Sequence, residues 1–165
     1  MRALISAVTL AFLVTSPPAA VAEDLASQIV GIWSYVSVTT TEVASGKVTK
    51  LFGEKPKGYL VYTKGGRSLY VLVADNRANP ASAAVTDAEA VGLFRTLGSG
   101  SGTYKVEGKT LIVTWDTSSN QIWTGTTQKR YIEIAGNKLT ISSDPVKISA
   151  TGLDVVFVNT LEKVE

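Results

Sequence analysis

From Ile32 onward apolar and polar residues alternate with a period of two, interrupted by short glycine-bearing breaks. Antiparallel strands that bury one face write this pattern. It predicts strands over 32–43, 48–52, 58–63, 67–73, 103–107, 110–116, 126–134, 139–142 and 153–164. The breaks Lys64-Gly65-Gly66, Glu107-Gly108-Lys109 and Ala135-Gly136-Asn137-Lys138 are shorter than the ~12 residues a parallel crossover needs, so sequence neighbours pair in a meander. Eight or nine strands with no internal repeat fit an up-and-down barrel or a sandwich.

The alternation also assigns faces. It turns Leu111, Val113 and Trp115 inward, then Tyr104 and Val106, and in the last strand Leu153, Val155, Phe157 and Leu161. Over 126–134 the outward set is Thr127, Lys129, Tyr131 and Glu133, which leaves Gln128, Arg130, Ile132 and Ile134 inside. Over 32–43 and 58–63 both faces are partly apolar, and the phase stays open.

One short helix separates the two sets of strands. Thr86-Asp87-Ala88-Glu89 has capping-box spacing, and Val91, Phe94 and Leu97 follow as an apolar stripe. The run Gly98-Ser99-Gly100-Ser101-Gly102 then reads as a flexible exit, a hinge that would let the helix move as a lid. It is not a phosphate cradle, because such loops open a helix and carry Gly-Lys-Ser/Thr.

The first 22 residues stand outside the pattern. Met1-Arg2, an uncharged run of 13 residues from Ala3 to Thr15, and Ala20-Val21-Ala22 form the three parts of a secretory signal peptide cleaved after Ala22. The run is well short of the ~20 apolar residues that cross a bilayer, so no transmembrane segment is expected in the mature chain. Residues 23–165 then make one domain of 143 residues, periplasmic or secreted, large enough to bury roughly 68–70% of the unfolded surface. Without Arg2, 15 basic residues face 14 acidic ones, a net charge of +1. Such a balance gives no field for nucleic acid. Lys47, Lys50, Lys55, Lys57, Lys64 and Arg67 do cluster, accompanied by Glu54. They read as a solvated hairpin edge, with steering of an anionic amphiphile as the functional alternative.

The chain has no cysteine and no histidine, which removes disulfides, thiolate nucleophiles, the usual base near neutral pH and the usual zinc ligands. Asp75, Asp87, Glu89, Asp116 and Asp144 lack calcium-loop spacing, and no Gly-x-Ser-x-Gly elbow occurs. Neither metal nor cofactor is implied, and no catalytic residue is assigned. Polar-tipped aromatics are frequent: Tyr35, Tyr59, Tyr62, Tyr70, Tyr104, Tyr131, Trp33, Trp115 and Trp123. They supply both the apolar wall and the placed polar groups of a ligand pocket, although strand propensity also favours them.

Gly31-Ile32-Trp33 opening the first strand, GEKPKGYLVYTKGG over 53–66 and GTTQKRYIEIAGNKLTIS over 125–142 together resemble the bacterial lipocalin-like domain family, along nearly the whole mature chain. The resemblance implies an all-β fold, a small antiparallel barrel with a helix near one mouth, and little about function. Gly31 and Trp33 would be its structural motif, with Trp33 plugging the closed end. The resemblance also implies a structural partner for Arg130, stacked across Trp33; the alternative partner is the carboxylate of an acidic ligand.

The expected function is an exported binding protein for a small hydrophobic or amphipathic molecule. Its candidate lining is Tyr35, Tyr62, Tyr70, Phe94, Tyr104, Trp115, Trp123 and Arg130. A cofactor-independent cyclase or isomerase in the same barrel is the alternative. The third option is a filled barrel acting as an envelope or protein-interaction module. Oligomeric state is not readable from these residues.

Overall fold

The computed structural model describes residues 24–148 and 151–165. The leader over 1–22 and its cleavage point lie outside them. A four-residue helix α1 (Leu25–Gln28) leads into β1 (Gly31–Glu42), β2 (Val48–Lys50), β3 (Lys57–Tyr62) and β4 (Arg67–Val73). Helix α2 (Asp87–Arg95) precedes β5 (Leu97–Glu107) and β6 (Thr110–Ser118). A 3-10 turn (Gln121–Trp123) joins these to β7 (Thr127–Ala135), β8 (Lys138–Ser142), β9 (Val146–Lys147) and β10 (Asp154–Lys163).

Every strand pairing is antiparallel, in the order β2-β1-β3-β4-β5-β6-β7-β8-β10-β9, and β10 closes on β1. The closing ladder runs from Trp33 opposite Lys163 to Glu42 opposite Val155. β3 takes the first half of the other edge of β1 and β2 the second half, just as β8 and β9 share one edge of β10. The fold is therefore a closed eight-stranded barrel with two short strand extensions. Closure removes the sheet edges that would otherwise need protection.

The open phase of the first strand has a physical cause. A register shift between Tyr35 and Ser37 makes Val36 a bulge, so Trp33 and Tyr35 face in, and then Val38 and Thr40. One extra residue moves the alternation to the other parity. Elsewhere the faces match the pattern: Leu111, Val113, Trp115 and Ile132 are buried, and Gln128 and Arg130 lie opposite Val113 and Leu111 on the inner wall. Leu153 departs from it. It is 40% exposed, because β10 begins one residue later and Val155 is its first buried position.

The glycine run is the larger correction. Gly98, Gly100 and Gly102 are the inward positions of β5, paired with Leu72, Tyr70 and Ser68 of β4. A side chain at Gly98 would begin 3.5 Å from the rings of Phe52 and Tyr70, and one at Gly100 would begin 2.9 Å from Tyr70. Gly98 and Gly100 make room for aromatic rings inside the barrel, Gly102 for the backbone of β6, and the run is wall rather than hinge.

Helix α2 carries the expected capping box, with Glu89 accepting from the backbone N–H of Thr86 at 2.9 Å. Glu89 also accepts from Ala81 N–H at 2.9 Å. None of its residues is buried; Val91 is 48% and Phe94 59% exposed. The hydrogen bonds from Ala81 and then Thr86 hold the Glu89 carboxyl below its usual range. A depressed carboxylate stabilises the fold above its unfolded pKa, and that contribution disappears as pH falls through the lower folded value. We therefore expect the amide protection factors of α2, taken relative to the intrinsic exchange rate at each pH, to fall as pH drops below ~4.3, ahead of those of the barrel strands. Glu89→Gln should abolish that step; a helix that loosens at the same pH in both proteins would contradict the assignment.

Candidate functional site

The two ends of the barrel are built differently. At the α1 end the indole N–H of Trp33 donates to Ile29 O at 2.7 Å, and both residues are 0% exposed. The Lys163 ammonium lies 5.3 Å from the Trp33 ring centroid and donates to Gln28 O at 3.1 Å. Gly31 explains the motif's first position: at φ +138° its backbone passes so close to Glu165 that a Cβ would fall 2.2 Å from the Glu165 carbonyl oxygen. Lys163, and not Arg130, is the cation over Trp33. The reason is register, since Lys163 is the direct cross-strand partner of Trp33 whereas Arg130 pairs with Leu111.

The opposite end is ringed by the last residues of β1, β4 and β6, the first residues of β10 and the loops between strands. Phe52 reaches over Gly98 from the β2–β3 loop. Trp123, on the 3-10 turn, stacks on Trp115 with centroids 6.3 Å apart, and Trp115 meets Tyr70 edge-on at 5.4 Å. Around this end Val43, Val48, Leu51, Ile122, Val146 and Leu153 are exposed.

Seven of the eight expected lining residues, Tyr35, Tyr62, Tyr70, Tyr104, Trp115, Trp123 and Arg130, belong to the barrel interior or its aromatic cap. Phe94 does not join them. It is 59% exposed on α2 and borders a groove of about 550 Å³ between α2 and the β4–β5–β6 wall, where Tyr70 is the one member of that set it shares a lining with. Its helical stripe signalled an apolar face but not which body covers it. Phe52, Gln128 and Asn159 also lie on the interior and were not in the expected lining. The phase that turned Arg130 inward places Gln128 there too, and Asn159 lies opposite Val38 and Ile141. Phe52 follows β2 in a loop, where no periodicity applies.

Tyr62 and Tyr104 meet ring to ring at 4.7 Å, and the Tyr104 hydroxyl donates to Thr63 O at 2.8 Å. Burial pushes the Tyr35 phenol well above its usual range, reinforced by Tyr62 and Tyr70. Burial also raises Tyr62, reinforced by Tyr104 and partly offset by Ser68 and Arg130. Both phenols are therefore neutral at any ordinary pH. Arg130 donates from Nη1 to Lys129 O at 2.8 Å and from Nη2 to Gln128 Oε1 at 2.6 Å. Desolvation lowers its pKa, opposed by the charge of Asp144 and by Tyr62. Asp144 is not in an ion pair with it, and its Oδ1 accepts from the Tyr131 hydroxyl at 2.9 Å. The Trp115 indole nitrogen and Thr124 Oγ1 are buried without hydrogen-bond partners.

Among the described residues none of the buried ones is acidic or basic, and no cluster of side chains has the composition of a metal site. No described helix is long and apolar enough to cross a membrane. The basic run is dispersed, with Lys47 on Glu42 at 3.9 Å, Lys50 on Glu54 and Arg67 on Asp116 at 2.6 Å. The interior offers hydroxyls, an indole N–H, amides and one guanidinium, which suits it to hold and orient a molecule.

A family profile described as a lipocalin-like domain matches residues 30–163. Among curated proteins none matches. The solved structure of an uncharacterized protein from Bacteroides eggerthii is 14% identical, with 79% of this chain and 98% of that chain covered and a TM-score of 0.37.

Proposed function

Because the chain belongs to the lipocalin-like domain family, we propose that it is an exported binding protein for a small hydrophobic or amphipathic molecule, held in the half of the barrel under Phe52 and Trp123. One observation carries this reading. The inner wall of the barrel bears a guanidinium, and a buried indole N–H without a partner lies beneath Trp123, where a core built for stability alone would be apolar. The exposed apolar side chains around the same end mark the side of approach. A filled barrel serving as an interaction module is the second reading, favoured by the packing of Tyr70 and Trp115 into the space left by Gly100. The two differ in whether the aromatic cap opens.

Titration with 1-anilinonaphthalene-8-sulfonate or a polyene fatty acid decides between them. The expected result is saturable quenching of tryptophan emission, displacement by a long-chain lipid, and recovery of that lipid chemically unchanged. Trp123→Ala should speed both association and release by removing the stacked cap. Lack of saturable binding by any probe would leave the filled barrel standing, and a converted lipid would make the protein a cyclase or isomerase. Export predicts that protein recovered outside the cytoplasm begins at Glu23.

A further inference from the structure

We propose that Arg130 and Gln128 form an anion site on the inner wall that holds the carboxylate of an acid-headed amphipathic ligand. This rests on the binding function proposed above and names the chemistry of the head group.

The argument is a count of donors and acceptors. A guanidinium has five N–H donors and no acceptor, and it keeps its charge in any protein environment. Two of those donors are taken, by Lys129 O and Gln128 Oε1. Gln128 spends its carbonyl on Arg130, so what it still offers is the donor end of its amide. Trp115 can only donate, and its indole nitrogen is buried and unpaired although the residue is 9% exposed. On the ladder, Gln128 is opposite Val113 and Arg130 opposite Leu111, so Trp115, Gln128 and Arg130 share one inner face. Alternate residues along a strand are about 6.6–6.8 Å apart, a spacing that one carboxylate and its first carbons can bridge. Across Trp115, Gln128 and Arg130 the unused capacity is thus chiefly donor capacity, and its complement is an acceptor-rich group.

Charge fixes which group. No acidic oxygen of the described residues lies within 4.0 Å of the guanidinium. Asp144, the nearby acid, is bonded to Tyr131, an outward residue of β7. One unpaired positive charge matches a singly charged carboxylate better than a doubly charged phosphate. The planar fork can hold such a carboxylate bidentately. The apolar remainder of the ligand would lie along Trp115, Tyr70 and Leu72, towards Phe52.

The test compares oleate with methyl oleate, which share a tail and differ in charge, on the folded chain and on Arg130→Met and Arg130→Lys. The unmodified protein should bind oleate at least tenfold more tightly than the ester. Arg130→Met should level the two by weakening oleate alone. Arg130→Lys keeps a point charge without the fork and should retain part of the preference, which guards against failure of the methionine variant to fold. Oleate should also move the Trp115 indole N–H resonance more than the ester does. Equal binding of acid and ester, or a preference that survives Arg130→Met, would overturn the anion site and leave the binding function intact. If neither compound binds while 1-anilinonaphthalene-8-sulfonate does, the anion site alone falls; if no probe binds, both fall together.

Discussion

Gly102→Ala is expected to cost the barrel about 3 kcal/mol or more, a large share of the roughly 5–15 kcal/mol by which an ordinary domain is stable. A Cβ on Gly102 would meet Thr114 O at 2.1 Å, the Thr114 carbonyl carbon at 3.0 Å and Trp115 Cα at 3.1 Å. All three are backbone atoms of the neighbouring strand, so no side chain can swing aside. They lie where the β5–β6 register shifts, with Gly102 opposite Trp115 and Ser101 opposite Thr117. At Gly100 the nearest atom is Tyr70 Cε1 at 2.9 Å, which can tilt, but Thr117 O at 3.0 Å cannot. At Gly98 the contacts begin at 3.5 Å, ordinary packing distance. The alanine series should therefore rise in cost from position 98 through 100 to 102. Gly92→Ala in α2 meets nothing within 4 Å and should instead stabilise by up to about 1 kcal/mol through helix propensity. Urea unfolding followed by far-UV circular dichroism gives all four values. Three neutral substitutions in β5 would restore the hinge.

The contrast within that run shows what a sequence can and cannot say. Period-two alternation is a record of side chains choosing faces, so it was legible wherever side chains exist: Leu111, Val113 and Trp115 on one strand, Gln128, Arg130 and Ile132 on the next. A strand whose inward positions are glycines leaves no such record. Its partners carry the missing volume, Tyr70 and Trp115 from the flanking strands and Phe52 from a loop. That volume becomes visible only once the ladders are closed. The bulge at Val36 hid the first strand in another way, by making both faces look apolar to a fixed period. Tyr104, Trp115 and Arg130 of the candidate site were legible because they fell on well-phased strands, whereas Tyr35 and Tyr62 lay on strands whose phase stayed open and stood out by their polar-tipped rings alone. The place of Phe94 was not legible, since a helical stripe shows that a helix is amphipathic and does not say that the barrel covers it. The cation over Trp33 required the β1–β10 register, which joins residues 130 positions apart in the chain.

Trp33→Ala is expected to cost roughly 3–5 kcal/mol, the range for removing a fully buried aromatic ring. Its ring is 0% exposed and joined to Ile29, also 0% exposed, through the 2.7 Å bond to the Ile29 carbonyl. That bond fastens α1 beneath the barrel. Losing the ring therefore leaves a cavity and also an unanswered buried carbonyl. Trp33→Phe keeps most of the volume and removes the donor, so it should cost less, on the order of 1–3 kcal/mol. Lys163 contributes differently. It is exposed, its ammonium 5.3 Å from the ring centroid, and a solvent-exposed cation over a ring is worth only ~0.5–1 kcal/mol. Lys163→Met should lose about that much in the unaltered background and nothing further once Trp33 is alanine, because the ring it faced is gone. Chemical unfolding of the two single variants and the double variant measures that coupling. A Trp33→Ala cost below about 1 kcal/mol, outside the range for a buried ring, would mean that the closed end is not sealed by this side chain. A Lys163→Met cost undiminished in the double variant would mean that the lysine acts through Gln28 O alone.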